Sequence, residues 1–242
     1  MTSSPRIRAA AALCAVLLIA AGCGGKDKGK DTTAADSAFA KESGDKIAAA
    51  AKADMKALEE VRFSGDITSN GQKITLDMQA SSAGDCTGSI GLGDGTAQLL
   101  AKDGTNWYKP DEAFWRANAP DQADAILAAV GDKWVLDTDS SFAQFCDLNA
   151  FFDNLFKADD SSSSYKTTGT EELDGEQVVK VEQTDEKGTS VGYVRIEGDH
   201  YLVKLERTEG DEPGHIDFSD FNKQFDVTAP ADDDVVDLSS LR

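Results

Sequence analysis

The spacing of apolar residues first predicts a helix that precedes all the strands. Between Ala38 and Val61, apolar residues recur three or four positions apart, which places them on one stripe of a helix. These residues are Ile47, Ala51, Met55 and Leu58. Gly44 is expected to weaken the early turns of this helix, because glycine is a poor helix former.

Alternation of apolar and polar residues then predicts a run of β-hairpins up to about residue 110. The alternation surrounds Asn70-Gly71, a pair typical of two-residue hairpin turns, and further turns are predicted at Asp94-Gly95 and Asp103-Gly104. The apolar positions around the first turn are Phe63, Ile67, Ile74, Leu76 and Met78.

Residues 111–156 change period and predict helices, the clearest being "SSFAQFCDLNAFFDNLF" with its broad apolar face. Residues 157–164, "KADDSSSS", are a predicted surface loop. Alternation then returns, with turns at Asp174-Gly175 and Gly198-Asp199. The apolar face of this second set of strands consists of Val179, Val181, Val194, Ile196, Val203, Leu205, Ile216 and Phe218.

This order of elements predicts an α+β fold. Antiparallel strands with one apolar face and one polar face need a cover on the apolar side. Helices are the only cover that the sequence offers, so we expect a curved antiparallel sheet closed over helices.

The N-terminus predicts export. Arg6 and Arg8 precede an uncharged apolar run over residues 9–22, which is typical of a signal peptide and shorter than the roughly 20 residues of a membrane span. The run ends in "LLIAAGC", which resembles the bacterial lipobox, in which the cysteine receives a diacylglyceryl group and becomes the first mature residue. We therefore predict a lipoprotein signal peptide over residues 1–22, a lipid anchor of diacylglyceryl and palmitate at Cys23, and a location on the outer face of the cell membrane. The alternative is an ordinary secretory signal.

The composition of the chain limits the classes of partner that it is expected to bind. The chain carries 24 basic and 44 acidic residues, and loss of residues 1–22 removes two arginines, leaving 22 basic residues and a net charge of −22. Such a surface disfavours nucleic acid, whose binding depends on neutralising phosphates. Residues 23–37 are polar and predict a flexible tether, and residues 38–242 are long enough for a single domain, expected to be monomeric.

The four cysteines have separate expected roles. Cys14 is lost with the signal peptide and Cys23 is the lipidation site, which leaves Cys86 and Cys146 in an exported chain. An oxidising compartment favours a disulfide between these two. Two free buried thiols remain the alternative.

Candidate catalytic groups are few. His200 and His215 belong to no recognisable triad, and His215 with Asp217 would supply only two metal ligands. The acidic runs at Asp137/Asp139 and 232–234 lack the spacing of a calcium loop. We therefore expect no enzyme, no metal and no cofactor.

The aromatic residues near the start of the helical segment allow two interpretations, a sugar-stacking platform or part of the core, and the core is favoured. These residues are Trp107, Tyr108, Phe114, Trp115 and Trp134. Three small inward residues, Gly65, Ala97 and Ala101, are compatible with an incompletely filled interior.

The mature chain resembles a family, the actinobacterial lipoproteins of the LppX/LprG type, relatives of the LolA/LolB half-barrels. The resemblance covers about residues 38–238 and rests on the lipobox around Cys23, "VRFSGDITSNGQKITLDMQ", "KDGTNWYKPDEAFW", "GDKWVLDT" and above all "IDFSDFNKQFDVTAPADDDVVDL". It implies a half-barrel of about eleven strands wrapped around helices, with an apolar cavity for acyl chains and no catalytic centre.

The leading functional hypothesis is thus a membrane-anchored lipoprotein that binds, and carries, an acyl lipid or glycolipid. The cavity is expected to be lined by Phe63, Ile67, Ile74, Leu76, Met78, Leu99, Val179, Val181, Val194, Ile196, Val203 and Leu205. The alternative is a non-catalytic envelope sensor or scaffold that binds a protein partner, in which case these residues form only a core.

Overall fold

The structure is a computed structural model and describes residues 37–69, 71–156, 164–185, 188–210 and 212–241. These residues form four α-helices and twelve strands. The helices are α1 (Gly44–Lys56), α2 (Glu112–Asn118), α3 (Ala123–Val130) and α4 (Leu148–Leu155). The first six strands are β1 (Glu60–Ser69), β2 (Gln72–Ser81), β3 (Cys86–Leu92), β4 (Gly95–Lys102), β5 (Thr105–Pro110) and β6 (Trp134–Leu136). The remaining strands are β7 (Ser164–Leu173), β8 (Glu176–Asp185), β9 (Gly188–Arg195), β10 (Leu202–Gly210), β11 (Gly214–Ser219) and β12 (Val235–Val236).

All twelve strands belong to one open sheet, in the order β12-β6-β5-β4-β3-β2-β1-β11-β10-β9-β8-β7. Neighbouring strands are antiparallel, except that β12 runs parallel to β6. The two hairpin sets predicted from the sequence meet where β1 pairs with β11, with Phe63 opposite Phe218. The predicted α+β half-barrel fold is confirmed, and its sheet does not close.

The apolar face of the sheet, here called the inner face, is covered by α1 and by the segment that contains α4. α1 lies against β7–β10, and its Ile47 and Met55 are fully buried. From α4, Phe151 stacks on Phe63 with ring centroids 4.4 Å apart, and Phe152 contacts Phe218. The core is therefore filled by aromatic side chains around Phe63 of β1 and Phe218 of β11.

The first helix differs in detail from its prediction. A short 3-10 turn at Phe39–Lys41 comes first, and α1 begins only at Gly44. A side chain at position 44 would collide with the backbone carbonyl of Tyr165 on β7. Gly44 thus stands at the first position of α1, not within the early turns of a longer helix, and it lets the start of α1 touch the edge strand.

A second, smaller cluster lies under α2 and α3, where Trp115, Ala123, Val130 and Val135 are buried together. Phe114 and Trp115 are only 5% and 7% exposed. These two aromatic residues are therefore part of the core, as the favoured interpretation expected, and neither offers an open stacking surface.

The predicted signal peptide, Cys14, Cys23 and all of the predicted tether except Ser37 lie outside the described residues. Within the part of the chain that the structure describes, none of the helices has the length and apolarity to cross a membrane.

Candidate functional site

The register of the strands arranges the inner face in successive rows. One row joins Val179 of β8 to Val194 of β9 and on to Leu202 of β10. The next row joins Val181, Gly192, Leu205 and Ile216 across β8 to β11. A third row, nearer the β8–β9 turn, joins Gln183, Ser190 and Arg207.

A first hollow of about 70 Å³ lies between these rows and the helices. On the sheet side, Gly192 and Ser190 supply little or no side chain. On the helix side, Ala48 and Ala51 of α1 are equally small. Small residues therefore face each other here, whereas large aromatic side chains fill the same layer over β1 and β2.

A second hollow of about 240 Å³ adjoins the first and lies toward β11 and β1. The two hollows share Leu155, Ser190 and Leu205. Ile67 and Ile216 add apolar surface, and Arg207 and Glu212 also line the second hollow. We call the two together the inner groove, an apolar channel with charged groups at one end.

The last turn of α4 forms one wall of the inner groove through Leu155 and Phe156. α1 holds this turn in place. Lys52 donates a hydrogen bond from Nζ to the carbonyl oxygen of Phe156 at 3.3 Å, and Lys56 pairs with Asp153. The Lys56 ammonium holds the pKa of the Asp153 carboxyl below its usual value.

The opposite end of the α4 segment is fixed covalently. Cys86 of β3 and Cys146, just before α4, form a disulfide with their Cα atoms 5.2 Å apart. The side chain of Asp147 then accepts a hydrogen bond from the Ala150 amide and caps the N-terminus of α4. α4 is thus tied to the sheet by a covalent bond at its start and by polar contacts with α1 at its end.

The residues expected to line a cavity divide into groups in the structure. Val181, Val194 and Leu205 border the first hollow, and Ile67 and Leu205 border the second. The others on the inner face pack in the core or against it and border neither hollow. These are Phe63, Ile74, Leu76, Met78, Leu99, Val179 and Ile196.

Val203 was expected to line the apolar cavity, but it borders neither hollow. The register of β10 against β9 shifts between Leu202 and Lys204, and Leu202, not Val203, pairs with Val194 and borders the first hollow. Val203 instead lines a separate polar cleft of about 740 Å³, and it does not belong to the main core cluster. A β-bulge adds one residue to a strand and so reverses the alternation beyond it.

The polar cleft next to Val203 has mostly charged walls that are engaged with one another. Arg195 makes two hydrogen bonds to Glu176, of 2.8 and 2.7 Å, and its guanidinium lies 5.3 and 5.0 Å from the ring centres of Tyr201 and Phe221. The cleft therefore combines an ion pair between aromatic rings with apolar side chains such as Leu173 and Phe218.

Several groove residues were missed by sequence reasoning. Ala48 and Ala51 are part of the predicted helix, but alanine is common in helices of every kind and signals no hollow. Gly192 and Ser190 interrupt the apolar alternation of β9, "TSVGYVR", and this interruption is the one signal that could have indicated missing volume. The small residues that were noted, Ala97 and Ala101, are fully packed at 0% and 1% exposure.

Gly65, the third small residue noted in the sequence, has a different role. A side chain there would collide with the backbone carbonyl of His215 on β11. Glycine at this position therefore allows close approach of two strands and leaves no space for a ligand.

His215 borders the second hollow of the inner groove, whereas His200 borders neither hollow. The His200 ring stacks on Phe39 with centroids 3.5 Å apart, and its Nδ1 lies 3.1 Å from the carbonyl oxygen of Arg195. His215 pairs with Asp66 and Asp217 at 3.6 and 3.4 Å. Among the described residues, no group of three or more histidine, cysteine or acidic side chains could hold a metal ion.

Among the comparisons with known proteins, only the one with solved structures found similar chains. No protein-family model matches the chain, and no curated protein matches it. LprF from Mycobacterium bovis superposes with a TM-score of 0.55 at 13% identity, over 77% of this chain and 96% of that one. The lipoprotein LppX from Mycobacterium tuberculosis has a TM-score of 0.48 at 13% identity, over 76% and 97% of the two chains. A chain of the MucA/MucB complex of Pseudomonas aeruginosa has a TM-score of 0.35 at 13% identity, over 78% and 58%.

At 13% identity the likeness to LprF concerns the fold alone, and the two lower scores add nothing to it. The resemblance drawn from the sequence covers about residues 38–238, and the likeness to LprF covers 77% of the chain. This chain has the open half-barrel fold of mycobacterial LprF, which confirms, at the level of the fold, its resemblance to the LppX/LprG-type lipoproteins.

Proposed function

We propose that this chain is a non-catalytic lipoprotein of the cell envelope that binds the acyl chain of a lipid or glycolipid in the inner groove. In this proposal Cys23 carries the lipid anchor on the outer face of the membrane. Residues 24–37 form the tether, and the monomeric domain holds its ligand between the sheet and the two helices α1 and α4.

One observation carries the proposal: two apolar hollows adjoin each other between the inner face and α4, sharing Leu155, Ser190 and Leu205. Apolar surface removed from water contributes about 25 cal/mol for each Å². An acyl chain along these hollows would cover apolar side chains of five neighbouring strands, β8, β9, β10, β11 and β1, and of α4. A short polar ligand would gain nothing from this lining.

The size of the inner groove adds a mechanical requirement. Its two hollows measure about 70 and 240 Å³, whereas pockets for drug-sized ligands span about 300–1,000 Å³. Neither hollow alone reaches that range, and Leu155 of α4 borders both, so we expect a long acyl chain to join them by moving the last turn of α4 away from α1. The contacts of Lys52 and Lys56 with α4 break in that movement, while the disulfide keeps the start of α4 on β3.

The test is recovery of lipid from the full chain purified from the envelope of cells that make it. Organic extraction followed by mass spectrometry should release a non-covalent lipid, distinct from the group attached to Cys23. In Gly192→Leu, the added Cβ would lie 3.2 Å from the movable Cδ1 of Leu202 and 3.8 Å from the Val181 carbonyl oxygen, and the rest of the side chain would extend into the first hollow. We expect this variant to lose the lipid.

Val191→Leu is the matched control. Val191 is the neighbouring residue on β9 and pairs with Glu182 and Glu206 on the opposite, polar face of the sheet. The Val191→Leu variant should retain the lipid. Lipid recovered equally from Gly192→Leu, or repeatedly absent from the unaltered chain, would refute the proposal and favour the scaffold that binds a protein partner.

Carriage of the lipid is a second step of the same proposal. It predicts that the chain speeds transfer of a labelled acyl lipid from donor to acceptor vesicles, and that Gly192→Leu abolishes the acceleration. Tight binding without transfer would leave retention as the function.

A further inference from the structure

The inner groove changes from apolar to polar along its length. Leu205 and Arg207 are two positions apart on β10 and so face the same side of the sheet. In the row of Arg207, the opposite residue on β9 is Ser190, and Gln183 of β8 follows it. The row of Leu205 contains only Val181, Gly192 and Ile216. One end of the groove can thus take an apolar tail and the other a polar group.

The polar end carries a cation beside an acidic side chain. Arg207 is half-buried and lines the second hollow. Across the groove, Lys52 of α1 lies with Nζ 5.9 Å from the ring centre of Phe156, which borders the first hollow. Glu212 is the acidic side chain that lines the same hollow as Arg207. Arg207 is therefore the cation that lines the inner groove, with Glu212 in the same hollow, and Lys52 is a second cation near its α4 wall.

Arginine is suited to one class of ligand. Its planar guanidinium presents paired N–H donors that match a carboxylate or a phosphate, and such charge-assisted bonds are stronger than neutral ones. Arg207 already interacts within the chain. An anionic head group would exchange with those internal partners when the tail enters the groove.

We propose that the inner groove selects single-chain amphiphiles with an anionic head group, a carboxylate or a phosphate, and that Arg207 binds that head group while the tail lies along Leu205 and Gly192. This inference rests on the proposed lipid-binding function and specifies its ligand class. Arg207 sets the preference, and the apolar rows supply the affinity that all single-chain lipids share.

The experiment compares lipids of one chain length that differ in the head group. The full chain with Cys23→Ala, which lacks the covalent lipid, is loaded with the neutral fluorescent probe N-phenyl-1-naphthylamine. Dodecanoate, dodecanol and 1-dodecanoyl lysophosphatidate are then titrated as competitors. We expect both anionic lipids to displace the probe at concentrations about 10-fold lower than dodecanol, since one charge-assisted hydrogen bond contributes an affinity factor of that order. The stronger of the two anions identifies the head group as carboxylate or phosphate.

Variants separate the role of Arg207 from general electrostatics. Arg207→Gln should abolish the preference for the anions and leave the affinity for dodecanol unchanged, and Arg207→Lys should retain part of the preference. Arg62→Gln is the control, because Arg62 pairs with Asp77 on the polar face of the sheet. The Arg62→Gln variant should show the same preference for the anionic lipids as the unaltered chain.

Equal displacement by dodecanoate and dodecanol, or an equal loss of all three lipids in Arg207→Gln, would overturn the head-group inference and leave the proposed lipid binding intact. Failure of every lipid to displace a bound probe, together with no recoverable lipid, would overturn the proposed function itself.

Discussion

Lys52 of α1 donates a hydrogen bond to the carbonyl oxygen of Phe156, the residue that caps the C-terminus of α4. The Lys52 ammonium also lies 5.9 Å from the centre of the Phe156 ring. This contact joins the two helices beside the inner groove. A cation near the C-terminus of a helix also interacts favourably with the helix dipole. Under the proposed function, this contact must break when the wall of the groove moves.

The first prediction concerns this contact. Lys52→Ala removes it and should speed the association of N-phenyl-1-naphthylamine with the inner groove severalfold, while lowering the free energy of unfolding by about 1 kcal/mol. Stopped-flow fluorescence measures the first effect and denaturant titration the second. Lys46→Ala is the control, since Lys46 pairs with Glu42 on the exposed side of α1. Unchanged probe kinetics in Lys52→Ala would contradict the role given to α4.

The second prediction concerns the disulfide. Cys86 and Cys146 are 60 residues apart, and closing a loop of that length stabilises the folded state by about 4 kcal/mol on the chain-entropy model. The double variant Cys86→Ala/Cys146→Ala should lose stability of this order, measured by denaturant unfolding. A reducing agent should destabilise the unaltered chain and have no effect on the variant. Equal stability of the reduced and oxidised chains would show that the bond adds nothing.

The third prediction concerns Tyr108, which packs against Phe142 and Trp115. Burial, together with the negative charges of Asp137 and Asp139, raises the pKa of Tyr108 from 10.0 to about 12. A group whose pKa is raised on folding contributes stability that is complete below its unfolded pKa and is lost as pH rises through the folded value. Stability should thus fall between pH 10.0 and about 12, and Tyr108→Phe should flatten this decline.

Phenolate absorbance gives an independent readout of the same group. The last phenol to ionise in the unaltered chain should be missing in Tyr108→Phe. An alkaline decline of the same steepness in both proteins would contradict the assignment.

The fourth prediction concerns Gly44 at the start of α1. Alanine is the better helix former by about 1 kcal/mol, yet its Cβ would collide with the Tyr165 carbonyl of β7. Gly44→Ala should therefore lower the free energy of unfolding, by about 1–3 kcal/mol as for other overpacked sites. Ala49→Gly, on the exposed face of the same helix, measures the ordinary helix-propensity cost for comparison. A stabilised Gly44→Ala would show that α1 does not need this close approach to the sheet.

Much of the fold follows from the sequence because alternation and turn chemistry are local. Asn70-Gly71, Asp103-Gly104 and Asp174-Gly175 were all predicted as turns, and each lies between strands that pair with each other. The two-residue strand β12 was not predicted, since Val235 and Val236 pair with β6 only through contacts distant in sequence.

The site was harder to predict than the fold. Because of a bulge at Val203, Leu202 and not Val203 borders the first hollow. No residue type near this bulge signals the register shift. The inner groove also depends on which helix faces which strands. Ala48 and Gly192 form a hollow only because α1 lies over β8–β10, and packing between distant segments has no local pattern.

The fifth prediction tests the central claim, that an apolar ligand occupies the inner groove. Ala48 borders the first hollow, whereas Ala49, its neighbour on α1, is exposed. Ala48→Leu adds three carbons toward a hollow of about 70 Å³, and Ala49→Leu adds the same three carbons toward solvent with the same helix propensity. Both variants should fold, as judged by their thermal unfolding.

The decisive measurement is the dissociation constant of N-phenyl-1-naphthylamine for these two variants of the full chain with Cys23→Ala. We predict that Ala48→Leu weakens binding at least about 10-fold, because the loss of one or two buried carbon contacts has an effect of that size. Ala49→Leu should bind the probe as tightly as the chain with alanine at position 49. Equal affinities in the two folded variants would contradict a ligand site between α1 and the sheet.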